Sequence, residues 1–225
     1  MILSIDTSTK VFSACLSENK PEFKIIAEKY YDTGLRHSDL LIKSVDRLLK
    51  ETGTELAQIN KVICSTGPGS FTGIRIGLAF SRTLCQALKI PLVGISTLDT
   101  LAGNIGLPDI PVCSIIDALQ DEVFVSFYKN NSRIDNYSMY KTDVLINCIR
   151  QKYKQYKKII FTGDAVNIYK SKLQNQLKHY KITPIFPSEN KLAPHASVLA
   201  KLGNNMPGKK YSLIVPFYIK PPTIR

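Results

Sequence analysis

"STGPGSFTGIRIG", residues 65–77, sets four glycines, Gly67, Gly69, Gly73 and Gly77, around Pro68. An apolar run, "KVICS" (61–65), precedes it, and a helical pattern, "FTGIRIGLAFSRTLCQALK" (71–89), follows. Together they read as strand, turn and helix, with Ser70 as the helix N-cap. A glycine-rich turn at a helix N-terminus often cradles phosphate. This one departs from that pattern. No Gly-Lys-Ser/Thr follows, Arg75 lies inside the helix, and the GxGxxG spacing is absent. Gly73, Gly77 and Ser81 instead recur every four residues and form one face of small side chains. A glycine inside a helix costs about 0.5–1 kcal/mol relative to alanine. Close approach of another backbone is the offset expected here. Ile74, Ile76, Leu78, Ala79, Phe80, Leu84, Ala87 and Leu88 wrap most of the remaining circumference. Such a helix is expected to be covered on two sides, by its own sheet and by a second helix or another subunit.

Working outward, "MILSID" (1–6), "VFSACLS" (11–17) and "EFKIIAEKYY" (22–31) read as a three-stranded meander. "HSDLLIKSVDRLLKETG" (37–53) carries Leu40, Leu41, Val45, Leu48 and Leu49 on one helical stripe that stops at Gly53. After the long helix come a strand, "PLVGI" (91–95), and a short helix N-capped by Ser96. "PVCSIID" (111–117) and "EVFVSFYK" (122–129) flank "ALQD" as a hairpin. Helices are expected at 142–153, 165–178 and 195–203, a strand ending in a turn at 158–165 and an extended tail at 212–222. The order βββ-α-β-α-β-α followed by a second mixed segment predicts an α/β protein of two lobes with mixed sheets. The seam is placed near residue 104. Residues 1–103, completed by the tail 212–225, form the N-terminal lobe, and 104–211 the C-terminal lobe.

The chain has 225 residues, 44% of them hydrophobic, enough to bury a sizeable core. No apolar run approaches the ~20 residues of a membrane span, and the N-terminus has no signal-peptide pattern. Five widely spaced cysteines without a CxxC fit free thiols in a cytoplasmic protein rather than zinc or a disulfide framework. The net charge of +12, from 30 Lys and Arg against 18 Asp and Glu, suits a nucleic-acid neighbour, or equally a lysine-rich composition.

Three further stretches bear on chemistry. "DTST" (6–9), between two strands, sets Asp6 beside Thr7, Ser8 and Thr9, residue types that bind phosphate oxygens and Mg²⁺ or that close an Asx turn. Ser8 stands where a phosphate loop needs glycine, so the loop reads as degenerate. His37 precedes the first amphipathic helix; with His179 and His195 it fits no metal-ligand spacing, and there is no GxSxG. Residues 150–181 hold nine basic residues and one acidic residue, with Tyr153, Tyr156, Tyr169 and Tyr180 interleaved. Lys154, Lys157 and Lys158 are its candidates for contact with RNA phosphates; a solvated lysine-rich face explains the same stretch.

"ILSIDTST", "STGPGSFTGIRIG", "GISTLDTLA", "IDALQDEVF" and "PFYIKPP" follow one another in this chain. In that order they resemble the bacterial TsaB (YeaZ) family of glycoprotease-like proteins, essentially end to end. The resemblance implies the actin/sugar kinase/Hsp70 (ASKHA) architecture with two related lobes. It implies a non-catalytic subunit that dimerises with TsaD, which transfers threonylcarbamoyl from its adenylate to an adenosine beside the tRNA anticodon. A small ATPase, TsaE, joins the pair. TsaD carries a metal motif, N-H-M-E-G-H, where this chain reads "STLDTL". Thr97 and Leu101 replace its histidines, and leucine cannot ligate a metal. ATP or ADP and metal are therefore expected on the partner subunits, with no cofactor and no metal in the isolated chain. Family members commonly read D-A-R-x-G-E-V-Y where this chain has "DALQDEVF", so Leu119 stands for arginine and Asp121 for glycine.

The partner interface is expected on the first two helices, through His37, Leu40, Leu41, Val45, Leu48, Phe71, Gly73, Ile74, Gly77, Leu78 and Ser81. The same surface would make a homodimer when the partner is absent. Two rival readings stay open. One is a stand-alone ASKHA-type ATP-dependent enzyme using Asp6; the other is a glycoprotease-like peptidase, for which no nucleophile–base pair can be named. Direct tRNA binding through 150–181 is compatible with the interaction subunit.

Overall fold

Residues 2–5 are apolar at all but one position, and neighbouring side chains along a strand point to opposite faces. A strand built this way is stable only with both faces covered. The computed structural model describes residues 1–19, 21–32, 34, 37–106, 108–130 and 132–219, with His37 described in its backbone only. In it Ile2–Asp6 (β1) pairs antiparallel with Val11–Glu18 (β2), which pairs antiparallel with Lys24–Asp32 (β3). The helix His37–Thr52 (α1) leads to Lys61–Gly67 (β4), parallel to β1. The helix Phe71–Leu88 (α2) leads to Leu92–Ser96 (β5), parallel to β4. The sheet order is β3-β2-β1-β4-β5. Leu3, Ile5, Val62 and Cys64 face the helices α1 and α2, against Leu41, Val45, Leu48 and Leu78.

A short helix, Thr97–Gly103 (α3), precedes the second set of elements. These are Val112–Asp117 (β6), Glu122–Lys129 (β7), Ser132–Arg133 (β8), Ser138–Lys141 (β9), Thr142–Lys152 (α4), Lys158–Thr162 (β10), Ala165–Lys178 (α5) and Thr183–Ile185 (β11). β6 runs parallel to β10, and β10 to β11; β7 is antiparallel to β6, and β9 to β7. The order β9-β7-β6-β10-β11 therefore repeats the order and the directions of β3-β2-β1-β4-β5. The two related halves expected from the resemblance are present in the strand topology. The second core packs Ile115, Val125, Phe127 and Phe161 against Leu145, Ile149, Val166 and Leu173 of α4 and α5.

Chain contacts divide the protein into Met1–Thr100 with Pro194–Phe217, and Leu101–Ala193 with Tyr218 and Ile219. This corrects the boundaries read from the sequence. The helix Ala196–Gly203 (α6), assigned to 104–211 with the C-terminal lobe, belongs to the first unit. The reason is packing. Leu199 meets Ile2, Ile63, Val93 and Ile95 on the sheet face opposite α1 and α2, and Ala196 and Ala200 meet Cys15. A Cβ at Gly203 would stand 2.8 Å from Ile63 Cδ1, so the helix lies close against the sheet. Its ends are held as well. Ser13 Oγ accepts from Ala196 N at 2.9 Å, and Glu28 Oε1 accepts from Ser197 N at 2.9 Å. At the other end Lys61 Nζ donates to Asn204 O at 2.8 Å and Met206 O at 3.2 Å, a cation at a helix C-terminus.

Candidate functional site

Asp6 ends β1 and closes an Asx turn: its Oδ1 accepts from Ser8 N at 2.9 Å and from Ser8 Oγ at 2.7 Å. Thr7 Oγ1 donates to Gly73 O at 2.7 Å, and Val11 N donates to Thr9 Oγ1 at 3.2 Å. Asp6, Thr7, Ser8 and Thr9 are all buried. The three hydroxyls of the degenerate phosphate loop thus bond within the protein, and the turn is pressed against the start of α2. Ser70 N donates to Ser8 O at 2.7 Å. Ser70 is the N-cap, as its sequence position suggests, accepting from Gly73 N at 3.2 Å.

The glycines of the 65–77 stretch follow from this contact. A Cβ at Gly69 would lie 2.1 Å from Ser8 O, at Gly73 2.0 Å from Thr7 O, and at Gly77 2.2 Å from Thr7 Oγ1. No side chain fits any of the three. The small face of α2 is therefore thin for the chain's own β1–β2 turn and not for a partner, which corrects the interface expected there. Ser81, the next residue on that face, is fully buried. Leu41, Val45, Leu48, Ile74 and Leu78 are buried as well, in the chain's own core. His37 opens α1, and its side chain lies outside the described residues. Among the residues expected at the interface, Leu40 is half-buried and Phe71 is exposed, with the Arg75 guanidinium 3.7 Å over its ring.

The outer side of α1 and α2 presents a different set. A groove of about 450 Å³ is lined by Ile42, Val45, Leu49, Leu56, Phe80 and Leu84, together with the ends of Asp46, Lys50 and Glu55. Ile42 is 66% exposed, and Leu56 is exposed too. Neither stands out in the sequence, since Ile42 lies one position off the Leu41–Val45–Leu48 stripe. The signal that points to them is the width of the stripe: Ile42, Val45 and Leu49 continue it onto a second face.

The remaining expected sites lie elsewhere. Thr97, where TsaD has a metal histidine, shares a hydrogen bond of 2.8 Å with Ser65 Oγ, and Leu101 is fully buried. Among the described residues no group of three His, Cys, Asp or Glu could hold a metal ion. Lys154 and Lys157 are exposed between α4 and β10, and exposed Lys158 opens β10. The tyrosines near them do not form a stacking platform. Tyr153 is buried on Phe127, 4.1 Å between ring centroids, and Tyr169 donates to Asp117 Oδ1 at 3.4 Å. Tyr180 is exposed beneath Arg150. The β6–β7 turn places Leu119, Gln120 and Asp121 at positive φ. Asp121 accepts from Thr142 Oγ1 at 2.6 Å and pairs with Lys172 at 3.3 Å.

Cys15, Cys64, Cys85 and Cys113 are buried free thiols and Cys148 is half-buried; burial pushes Cys64 and Cys85 up to about 12. No helix among the described residues is long and apolar enough to cross a membrane.

The repeated strand order in two units defines an α/β protein of the actin/sugar kinase/Hsp70 architecture. Over residues 31–220 the sequence matches the family model described as "TsaD: tRNA N6-adenosine threonylcarbamoyltransferase". It is 27% identical over 220 residues to the tRNA threonylcarbamoyladenosine biosynthesis protein TsaB of Bacillus subtilis strain 168, covering 97% of this chain and 93% of that one. To TsaB of Escherichia coli strain K12 it is 31% identical over 135 residues, 58% of this chain and 55% of that one. The structure of YeaZ from Pseudomonas aeruginosa shares the fold, with a TM-score of 0.77 at 23% identity, over 96% of this chain and 98% of that one. The chain belongs to this family, in its TsaB (YeaZ) group.

Proposed function

We propose that this chain is the non-catalytic, activating subunit of a complex that forms threonylcarbamoyladenosine in tRNA, and that a TsaD-like catalytic partner docks on the groove between α1 and α2. The observation that carries the reading is the apolar lining of that groove, with Ile42 66% exposed in a helix whose other apolar residues are buried or half-buried. An apolar surface of this kind marks an interaction site. The names of the relatives supply the pathway, tRNA threonylcarbamoyladenosine biosynthesis. Thr97 and Leu101 at the positions of TsaD's metal histidines, and the internally bonded hydroxyls of the Asp6–Thr9 turn, support a subunit that leaves chemistry to its partner. On this reading ATP or ADP and metal sit on the partner subunits. A TsaE-like ATPase joins the pair, tRNA is reached through the partner, and the assembly works in the cytoplasm. A second copy of the chain covers the groove when the partner is absent.

The test is co-purification with the TsaD-like protein of the same organism. Ile42→Asp is expected to abolish it while the monomer keeps its unfolding transition, and modified adenosine in a reconstituted reaction falls with it. Retained co-purification of a folded Ile42→Asp chain would remove the proposal. Micromolar binding of Mg-ATP to the isolated chain that is lost in Asp6→Asn would replace it with a stand-alone ATP-dependent enzyme.

A further inference from the structure

The first unit has a second cavity, of about 430 Å³, lined by Cys85, Gln86, Lys89, Ile90 and Pro91 and by the strap Gly208–Tyr211. It shares no lining residue with the α1–α2 groove. Its walls are fixed by the backbone. Lys89 ends α2 in the left-handed region, φ 55°, and turns the chain into β5. Leu92 and Lys209 exchange both backbone hydrogen bonds, 3.0 and 2.9 Å, as one antiparallel bridge. Gly208 lies against Pro91, where a Cβ would come within 2.4 Å of Pro91 Cβ. This bridge sets Lys209 and Lys210 across the cavity wall from Lys89.

The charge of the cavity is one-sided. Lys89, Lys209 and Lys210 are exposed, and no acidic residue lines the cavity. Among the described residues none of the three makes an ion pair, whereas Lys29, Lys50, Lys152 and Lys172 each do. The carbonyls at the end of α2 would repel an anion. Cys85 O, however, already accepts from Lys89 N and Ile90 N, and three full positive charges outweigh the half-charge of a helix end. Buried Cys85 and half-buried Ile90 add apolar lining, and Gln86 and Tyr211 add polar groups. A cavity of this volume holds a small ligand.

We infer that this cavity binds a phosphate-bearing ligand of about one nucleotide in size, with Lys89, Lys209 and Lys210 on the phosphate and the Cys85–Ile90 side against an apolar or aromatic ring. The same chemistry is offered by a free mononucleotide and by a nucleotide of an RNA strand. This inference does not rest on partner docking, and Ile42→Asp leaves its readout unchanged.

The experiment uses the full chain and the triple variant Lys89→Gln, Lys209→Gln, Lys210→Gln, with Lys24→Gln, Lys141→Gln, Lys201→Gln, three exposed lysines outside the cavity and outside residues 150–181, as a charge-matched control. Unfolding transitions check that both variants are folded. The probes are AMP, ATP and an unmodified tRNA transcript, each titrated across a salt series. If the source is RNA, the cavity variant weakens tRNA binding at least about tenfold. Its log–log salt slope also falls by about one unit for each lysine that no longer meets a phosphate, while the control binds as the parent does. If the source is a free nucleotide, AMP or ATP binding falls in the cavity variant alone. No binding of any probe at about 0.05 M salt, where phosphate binding is strong, or equal losses in both variants, would overturn the inference.

Discussion

Thr7 decides more about this protein than its place in a four-residue turn suggests. Its carbonyl and hydroxyl occupy the volumes where side chains at Gly73 and Gly77 would stand. Gly77→Leu is therefore expected to destabilise the isolated chain, by about 1–3 kcal/mol or more as overpacking, measured by urea unfolding. A folded Gly77→Leu chain of parental stability would contradict the packing described. The repeat of small residues at 73, 77 and 81 is legible in the sequence as a close crossing. Which backbone crosses is not, because periodicity marks a face without identifying its neighbour. Glu28 makes a second case. Burial pushes its carboxyl up, but hydrogen bonds from His195 and Ser197 and the charge of His195 outweigh burial and hold it below the ordinary carboxylate range. A group whose folded value is depressed stabilises the fold above its unfolded value, about 4.3, and the contribution is lost as pH falls through the folded value. Glu28→Gln should thus lower stability at neutral pH and narrow the gap to the parent below about pH 4, read as midpoints of unfolding in the two conditions.

At the scale of elements, the helices and strands follow the hydrophobic pattern closely, and the boundary of α2 is written in Ser70. The β6–β7 turn shows where pattern alone stops. The strands on either side are plain in "PVCSIID" and "EVFVSFYK", yet Leu119, Gln120 and Asp121 all take left-handed backbone without a glycine among them. Left-handed backbone costs an L-residue roughly 1–2 kcal/mol. Asp121 offsets this through Thr142 and Lys172, whereas the Leu119 side chain is 70% exposed. Leu119→Gly is expected to raise stability by about 0.5–1 kcal/mol, the relief of strain partly offset by a more flexible unfolded chain; thermal unfolding reads it. α1 is legible as an amphipathic helix and α2 as one apolar around most of its circumference. Their inner and outer faces are not, since Leu41 and Ile42 are neighbours of like character and only the tertiary arrangement buries one and exposes the other.

Across the whole molecule, the repeated strand order is beyond reach of the sequence, because the two halves share a pattern of directions and not of residues. The position of α6 is hidden for a related reason. "HASVLAKLG" is apolar on one face like many short helices, and its partners Ile2, Ile63, Val93 and Ile95 lie a hundred or more residues away. A fragment ending at residue 193 leaves one face of the first sheet bare and removes the partners of Ser13, Glu28 and Lys61. Such a fragment is expected to lose the cooperative unfolding of the first unit and to bind a hydrophobic dye, while the intact chain does neither. A cooperative transition in the fragment would show that α6 is dispensable.

The split make-up of the first unit also sets an order in time. On the ribosome, β1 through β5 emerge early but wait for α6, about a hundred residues later, an interval of roughly 5–20 s at ordinary translation rates. The second unit, apart from its last residues at Tyr218 and Ile219, lies between Leu101 and Ala193 and leaves the tunnel ahead of α6. The half made last is free to fold first, and the half made first spends the interval with an uncovered sheet that a chaperone has reason to hold.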